Sequence, residues 1–155
     1  MRKSKINISG FKIGTAENRE GLTGVTVILA PDGGATAGVD VRGCAPGTRE
    51  TDLLDPRKTV QKIHAVVLSG GSAFGLEAAS GCVKYLAEQG VGFPIGNVCV
   101  PIVCSAVLFD LMIGDEKAYP DLLMGYEAAK SASSEFLSGC NGAGTGATVG
   151  KLLGF

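Results

Sequence analysis

Ile63-His64-Ala65-Val66-Val67-Leu68-Ser69-Gly70-Gly71-Ser72-Ala73-Phe74-Gly75-Leu76-Glu77-Ala78-Ala79 decides how the rest of the chain is read. Residues 63–68 form a short apolar run bounded by a glycine loop, which suits a buried strand. Ser69-Gly70-Gly71-Ser72 leads out of it. Over residues 73–89, Leu76, Ala79, Val83 and Leu86 recur at helical spacing, and Gly90 is a natural stop. The pattern is strand, glycine loop, helix.

Working outward, residues 5–13 read as a strand, with Ile6, Ile8, Phe11 and Ile13 offered to one side. Residues 23–30 are rich in β-branched side chains and predict a strand. Pro31-Asp32-Gly33-Gly34 signals a turn, and residues 35–42 read as the strand returning from it, a hairpin. Residues 43–55 form a polar loop with a short helix at 51–54. Residues 91–101 are irregular and extended, and 103–111 are a further apolar run. Residues 120–132 are helical, with Asp121 in the first turn, where a negative charge suits the helix dipole. Residues 138–150 are a glycine-rich loop. No internal repeat or domain boundary interrupts the chain, so residues 1–155 read as one domain of mixed α/β (α+β) class.

Composition bounds the function. Lys and Arg number 14 against 15 Asp and Glu, a net charge of −1, and the only basic cluster is within residues 1–5, which argues against nucleic-acid binding. No apolar stretch follows that cluster and none is long enough to span a bilayer, so neither a signal peptide nor a membrane partner is expected. Cys44, Cys82, Cys99, Cys104 and Cys140 include no C-x-x-C pair; with a single histidine, His64, they predict reduced thiols in a cytoplasmic protein, no metal and no cofactor. Cys99 and Cys104 read as structural thiols rather than a redox pair. His64, beside an apolar run, reads as structural. A mean hydropathy of +0.27 with 19% charged residues predicts that much of the surface is covered by a partner or by more chain.

Glycine loops invite a nucleotide reading. Ser69-Gly70-Gly71-Ser72 lacks the spacing of a P-loop, and its simpler reading is a tight turn with Ser72 as N-cap. Gly142, Gly144 and Ala147 fit G-x-G-x-x-A, but the sequence shows no strand before them and no βαβ unit after them. Asp110 has two open readings: orienting a substrate amine, or capping a turn.

Five blocks, in order, resemble the DmpA-like family, which includes β-peptidyl aminopeptidases and a nylon-oligomer hydrolase. They are Gly21-Leu22-Thr23-Gly24-Val25-Thr26-Val27-Ile28, Ala37-Gly38-Val39-Asp40-Val41-Arg42-Gly43, Leu68 to Ala79, Val103 to Leu111, and Gly142-Ala143-Gly144-Thr145-Gly146-Ala147-Thr148-Val149-Gly150-Lys151. The resemblance implies an α/β/β/α sandwich, present here as an incomplete N-terminal half. It implies a precursor that cuts itself ahead of a Ser or Thr, whose free α-amine serves as base for its own hydroxyl. That nucleophile and the oxyanion asparagine lie downstream in the family pattern, so the chain is expected to lack the nucleophile and to need a C-terminal (β-chain) segment as partner. Lys151 matches a lysine that some members place at the active site, where a cation stabilises a developing oxyanion or lowers a neighbour's pKa. Phe109 stands where some members have an active-site tyrosine, and Cys44 where the resemblance implies glycine. The implied pocket draws on Ser69, Gly70, Gly71, Ser72, Phe109, Asp110, Gly144, Thr145 and Gly146. The implied substrate is a small peptide or amide, and the implied assembly a homo-oligomer. The alternative is a non-catalytic α/β module that binds a partner or assembles through its apolar surface.

Overall fold

Residues 23–29 carry a β-branched side chain at almost every second position, and this strand becomes the axis of the molecule. The structure is a computed structural model that describes residues 2–154, without the side chain of Leu152; the last residue of the terminal glycine-rich stretch, Phe155, lies outside the described residues. In chain order the strands are β1 (Arg2–Lys5), β2 (Lys12–Asn18), β3 (Thr23–Leu29), β4 (Thr48–Arg49), β5 (Ala65–Ser69), β6 (Phe93–Ile95), β7 (Val98–Val100), β8 (Val103–Val107) and β9 (Glu135–Ser138). The helices are α1 (Ala78–Glu88) and α2 (Leu122–Lys130).

A five-stranded sheet runs in the order β2-β3-β5-β8-β4. Only β5 and β8 are parallel, and α1 lies in the crossover between them. Both helices cover one face of this sheet, α2 against β2 and β3, α1 against β5 and β8. Val25, Val27 and Leu29 of β3, Ala65 and Val67 of β5, and Val103 of β8 meet Ala78, Ala79, Cys82, Leu86, Ala128 and Ala129 in the core. The alternation of the strands leaves Thr26, Ile28, Val66 and Leu68 on the other face. They are only half-buried or exposed, Leu68 at 38%. The described residues thus supply one helix layer and one β-layer, with the second face of the sheet largely open.

The helix layer is thin because its contacts are made by small residues. A Cβ added to Gly81 of α1 would stand 1.9 Å from the Leu122 carbonyl oxygen, and one added to Gly125 of α2 would stand 1.9 Å from that of Ala78. The two helices therefore touch backbone to backbone. Tyr126 of α2 donates its hydroxyl to Glu88 of α1 at 2.7 Å on the outer surface.

Several expectations need correction. The single strand over 5–13 is split: Ser9 and Gly10 turn the chain, with Gly10 in the left-handed region at φ +81°, so β1 pairs with β9 while β2 pairs with β3. The turn at residues 31–34 forms, closed by the Gly34 N–H on the Pro31 carbonyl at 2.9 Å, but no returning strand follows it. Both edges of β3 are already taken, by β2 and β5, and residues 36–42 join no sheet. The predicted helix over 73–89 begins as a 3-10 turn, Ser72–Glu77, and becomes α-helical only at Ala78. The 91–101 segment folds into the β6–β7 hairpin around Gly96-Asn97. Asp121 is the N-cap of α2 rather than part of its first turn, its carboxylate accepting the Met124 N–H at 2.8 Å.

Substituting Gly125→Ala is expected to destabilise the protein by about 1–3 kcal/mol, because the helices must part to admit the methyl group. Gly38→Ala, where nothing lies within 4 Å of the added carbon, is expected to stay within about 0.5 kcal/mol of the parent. Urea denaturation of the two variants checks both values.

Candidate functional site

Ser69 ends β5, and the chain must turn at once to reach α1 on the helix face. Gly71 and Ser72 make that turn with φ of +79° and +52°. Glycine adopts the first freely; serine holds the second only because its surroundings fix it. The Gly70 N–H donates to the Gly24 carbonyl at 2.9 Å, and the Ser72 N–H to the Leu108 carbonyl at 3.0 Å. Gly71 is the N-cap residue, and Ser72 makes no side-chain cap bond, so the N-cap expected at Ser72 is not formed.

Asp110 holds this turn. Only 3% exposed, it accepts the Gly71 N–H at 2.6 Å through Oδ1 and the Thr23 hydroxyl at 2.8 Å through Oδ2. A Cβ on Gly70 would meet Asp110 Oδ2 at 2.0 Å, and one on Gly146 would stand 1.9 Å from the Leu22 carbonyl oxygen and 3.0 Å from Asp110. Loops 69–72, 108–110 and 142–146 therefore converge on the start of β3. Of the two readings of Asp110, the turn cap is the one formed.

The glycine-rich loop is fixed by groups that sequence reasoning missed. Asn141, 5% exposed, donates through Nδ2 to Thr15 Oγ1 at 3.0 Å and to the Leu137 carbonyl at 3.2 Å. Its Oδ1 accepts from Arg19 at 3.3 Å. The Gly142 N–H reaches Glu17 at 3.3 Å and the Ala143 N–H reaches Thr26 Oγ1 at 3.1 Å. The signal in the sequence was one amide side chain at the mouth of the loop, beside Cys140. A strand, β9, does precede the loop, contrary to the sequence reading. It pairs with β1 antiparallel, and among the described residues only the 3-10 turns Gly142–Gly144 and Lys151–Leu153 follow, so no βαβ unit arises and the nucleotide reading finds no support.

A cleft of about 490 Å³ lies on the open face of the sheet, overhung by β9 and by this loop. Its walls are mostly apolar, with Ile28, Leu68, Phe136, Ser69, Asn141 and Gly144 among them. Two of the expected pocket residues, Ser69 and Gly144, line it. Gly70, Gly71, Asp110 and Gly146 meet one another at the start of β3 and do not line it. Thr145 places its hydroxyl out of solvent with no partner among the described residues. Phe109 is 41% exposed and does not line the cleft. Lys151 is half-buried in a terminal 3-10 turn, donating to the Thr148 carbonyl at 2.6 Å, and is not brought to the cleft.

His64, Cys82 and Cys104 sit within the fold. His64 is buried, its Nδ1 accepting the Ile102 N–H at 3.1 Å, and burial pulls its pKa below the ordinary range. Burial pushes the Cys82 thiol up to about 12 and also raises Cys104, so neither is an accessible thiolate. Among the described residues no Ser or Thr hydroxyl shares a hydrogen bond with His64 or a lysine, and no group of three His, Cys, Asp or Glu could hold a metal ion. Nor is any helix among them long and apolar enough to cross a membrane.

The described residues thus form a helix layer on one β-layer, with the other face of the sheet largely open. Solved structures agree on the fold. A protein of Pyrococcus horikoshii OT3 superposes with a TM-score of 0.73 at 23% identity, over 91% of this chain and 44% of that one. The L-aminopeptidase D-Ala-esterase/amidase of Ochrobactrum anthropi, a variant of the Ntn hydrolase fold, superposes at 0.68 with 18% identity, over 90% and 42%. Residues 5–154 match the model of peptidase family S58, and the chain belongs to that family. It is 47% identical over 131 residues to an uncharacterised aminopeptidase of Mycobacterium bovis, covering 84% of this chain and 38% of that protein. It is 36% identical over 149 residues to the 6-aminohexanoate-oligomer endohydrolase of Kocuria sp. (strain KY2), covering 96% of this chain and 39% of the relative. The chain thus spans about two fifths of the length of the curated relatives it matches.

Two outcomes test this geometry. Asp110→Ala leaves the Gly71 N–H and the Thr23 hydroxyl buried without an acceptor, and should cost about 2–4 kcal/mol in denaturant unfolding, against a smaller loss for Asp110→Asn, which keeps one acceptor and the shape. Because His64 is held neutral in the fold, its contribution to stability is present above the unfolded pKa of about 6.5 and is lost as pH falls below it. His64→Asn should flatten the pH dependence of unfolding just below that value.

Proposed function

We propose that this chain is the N-terminal, α-chain-like portion of a self-processing aminopeptidase or amidohydrolase that acts on N-terminal residues of small peptides or amides. The observation that carries the reading is the family match over residues 5–154 by a chain that spans only 38–39% of its relatives. The nucleophilic Ser or Thr, with its free amine as base, belongs to sequence beyond this portion, as does the second β-layer that closes the open sheet face. The names of the relatives, an aminopeptidase and an oligomer endohydrolase, support hydrolysis of an amide bond.

In this reading the knot around Asp110 is scaffold. Ser69 and Gly144 form the wall against which the companion segment builds the pocket. Lys151, at the end of a short turn, swings to the site once the companion is in place and faces the developing oxyanion. Phe109 offers no hydroxyl where some relatives use one, so the hydrogen bond to substrate must come from another group. The apolar cleft suits an aliphatic or aromatic acyl portion. A cytoplasmic location fits the free thiols.

Amino-acid p-nitroanilides test the reading. The 155-residue chain alone should give no turnover above blank, while a longer polypeptide that includes it should cut itself in two and then release p-nitroaniline. Robust hydrolysis by the 155 residues alone would show that the nucleophile already lies within them.

A further inference from the structure

The chain contains one Asp-Gly pair, Asp32-Gly33, and one Asn-Gly pair, Asn141-Gly142. At such pairs the glycine nitrogen can attack the preceding side chain, because glycine carries no Cβ to block the approach. The reaction needs a nitrogen that is not donating a hydrogen bond, a side chain free to rotate, and a backbone free to close a five-membered ring. A side-chain amide loses ammonia more readily than a carboxylic acid loses water. Covalent chemistry alone therefore ranks Asn141 ahead of Asp32.

The structure reverses that order. Asn141 is 5% exposed, and its amide is committed to Thr15, Leu137 and Arg19. The Gly142 nitrogen donates to Glu17 at 3.3 Å. The backbone there is packed so closely that a Cβ on Gly142 would stand 2.4 Å from Thr26 Oγ1. Asp32 and Gly33 are both exposed. Among the described residues, neither the Asp32 carboxyl nor the Gly33 N–H has a hydrogen-bond partner. A Cβ on Gly33 would meet nothing within 4 Å, and one bond, from the Gly34 N–H to the Pro31 carbonyl, closes the turn.

We propose that Asp32-Gly33 is a spontaneous modification site, where isoaspartate forms, and that the fold withholds the same chemistry from Asn141-Gly142. The Gly33 nitrogen bonds to Cγ of Asp32, and the hydroxyl of the carboxylic acid leaves with the nitrogen's proton as water. Water then opens the cyclic imide at its α-carbonyl. The backbone now runs through Cβ and Cγ, a free α-carboxylate remains, and the composition is unchanged. The new link is one atom longer, and the turn has no slack to absorb it. Ala30 is tied to the His64 carbonyl at 2.9 Å, and Ala35 and Ile63 exchange two bonds of 2.9 Å. The modification therefore loosens the Ala35–Ile63 pair at the end of β3 and β5. This inference does not depend on the hydrolase reading.

Incubation of the 155-residue protein in neutral buffer, followed by peptide mapping with electron-transfer fragmentation, tests it. Isoaspartate should accumulate at residue 32 while residue 141 stays asparagine. In urea, with the fold lost, Asn141 should react first. Asp32→Asn places the same dipeptide at both positions, and deamidation at residue 32 of the folded variant should outrun that at 141 by about tenfold or more. Thr15→Val removes one bond that holds the Asn141 amide and should speed deamidation there about twofold to tenfold. Deamidation of Asn141 ahead of isoaspartate at residue 32 in native buffer would overturn the proposal, as would equal rates at the two sites of Asp32→Asn. So would an Asp32 left intact in the folded chain after a time in which the urea-unfolded chain converts it.

Discussion

One buried carboxylate holds three loops of this molecule together. Asp110 accepts the Gly71 N–H and the Thr23 hydroxyl, and in doing so it pins the exit of the central strand to the start of its neighbour. A charge out of water is tolerated only when hydrogen bonds replace its hydration. Here they come from a backbone amide held in a left-handed turn and a hydroxyl at the first residue of β3. Three loops far apart in sequence thereby acquire a single geometry. The glycines around the carboxylate follow from it: Gly70 and Gly146 lie so close to Asp110 that side chains there would displace it.

The sheet follows from the same logic of close approach. Two helices built from small residues lie flat on one face, and the core between them and β3, β5 and β8 is made of valine, alanine, leucine and one inert thiol. The opposite face carries Thr26, Ile28, Val66 and Leu68, too apolar to be left entirely to solvent. Threonines on that face are what tie down the glycine-rich loop: Thr26 takes the Ala143 N–H and Thr15 takes Asn141. The cleft is therefore the natural result of a sheet covered on one side and overhung on the other.

Much of this was legible in the residues. The strand, glycine loop and helix around Ser69 to Ala79 announced themselves by composition and period, and so did β3, α2 and the turn after Ala30. The five ordered blocks pointed to the family. What the sequence hid was pairing. Residues 35–42 have every local mark of a strand, but local marks do not reveal that β3 already has two neighbours. Likewise the alternation through residues 5–13 runs straight across Gly10, where the backbone turns. Ser72 looked like a helix cap because of its type, and its positive φ is a tertiary outcome that no propensity encodes. The part of Asp110 needed knowledge that Thr23 and Gly71 would meet it, and Asn141 was visible only as one amide among many glycines.

The amide proton of Gly71 reports most directly on the claim that Asp110 organises the site. Followed by NMR hydrogen exchange in native buffer, it should be as slow as the amides of β3 and β5, opening only with global unfolding. Exchange as fast as that of Gly43, in the open loop, would mean that the carboxylate does not hold the turn, and the convergence of the three loops would lose its cause.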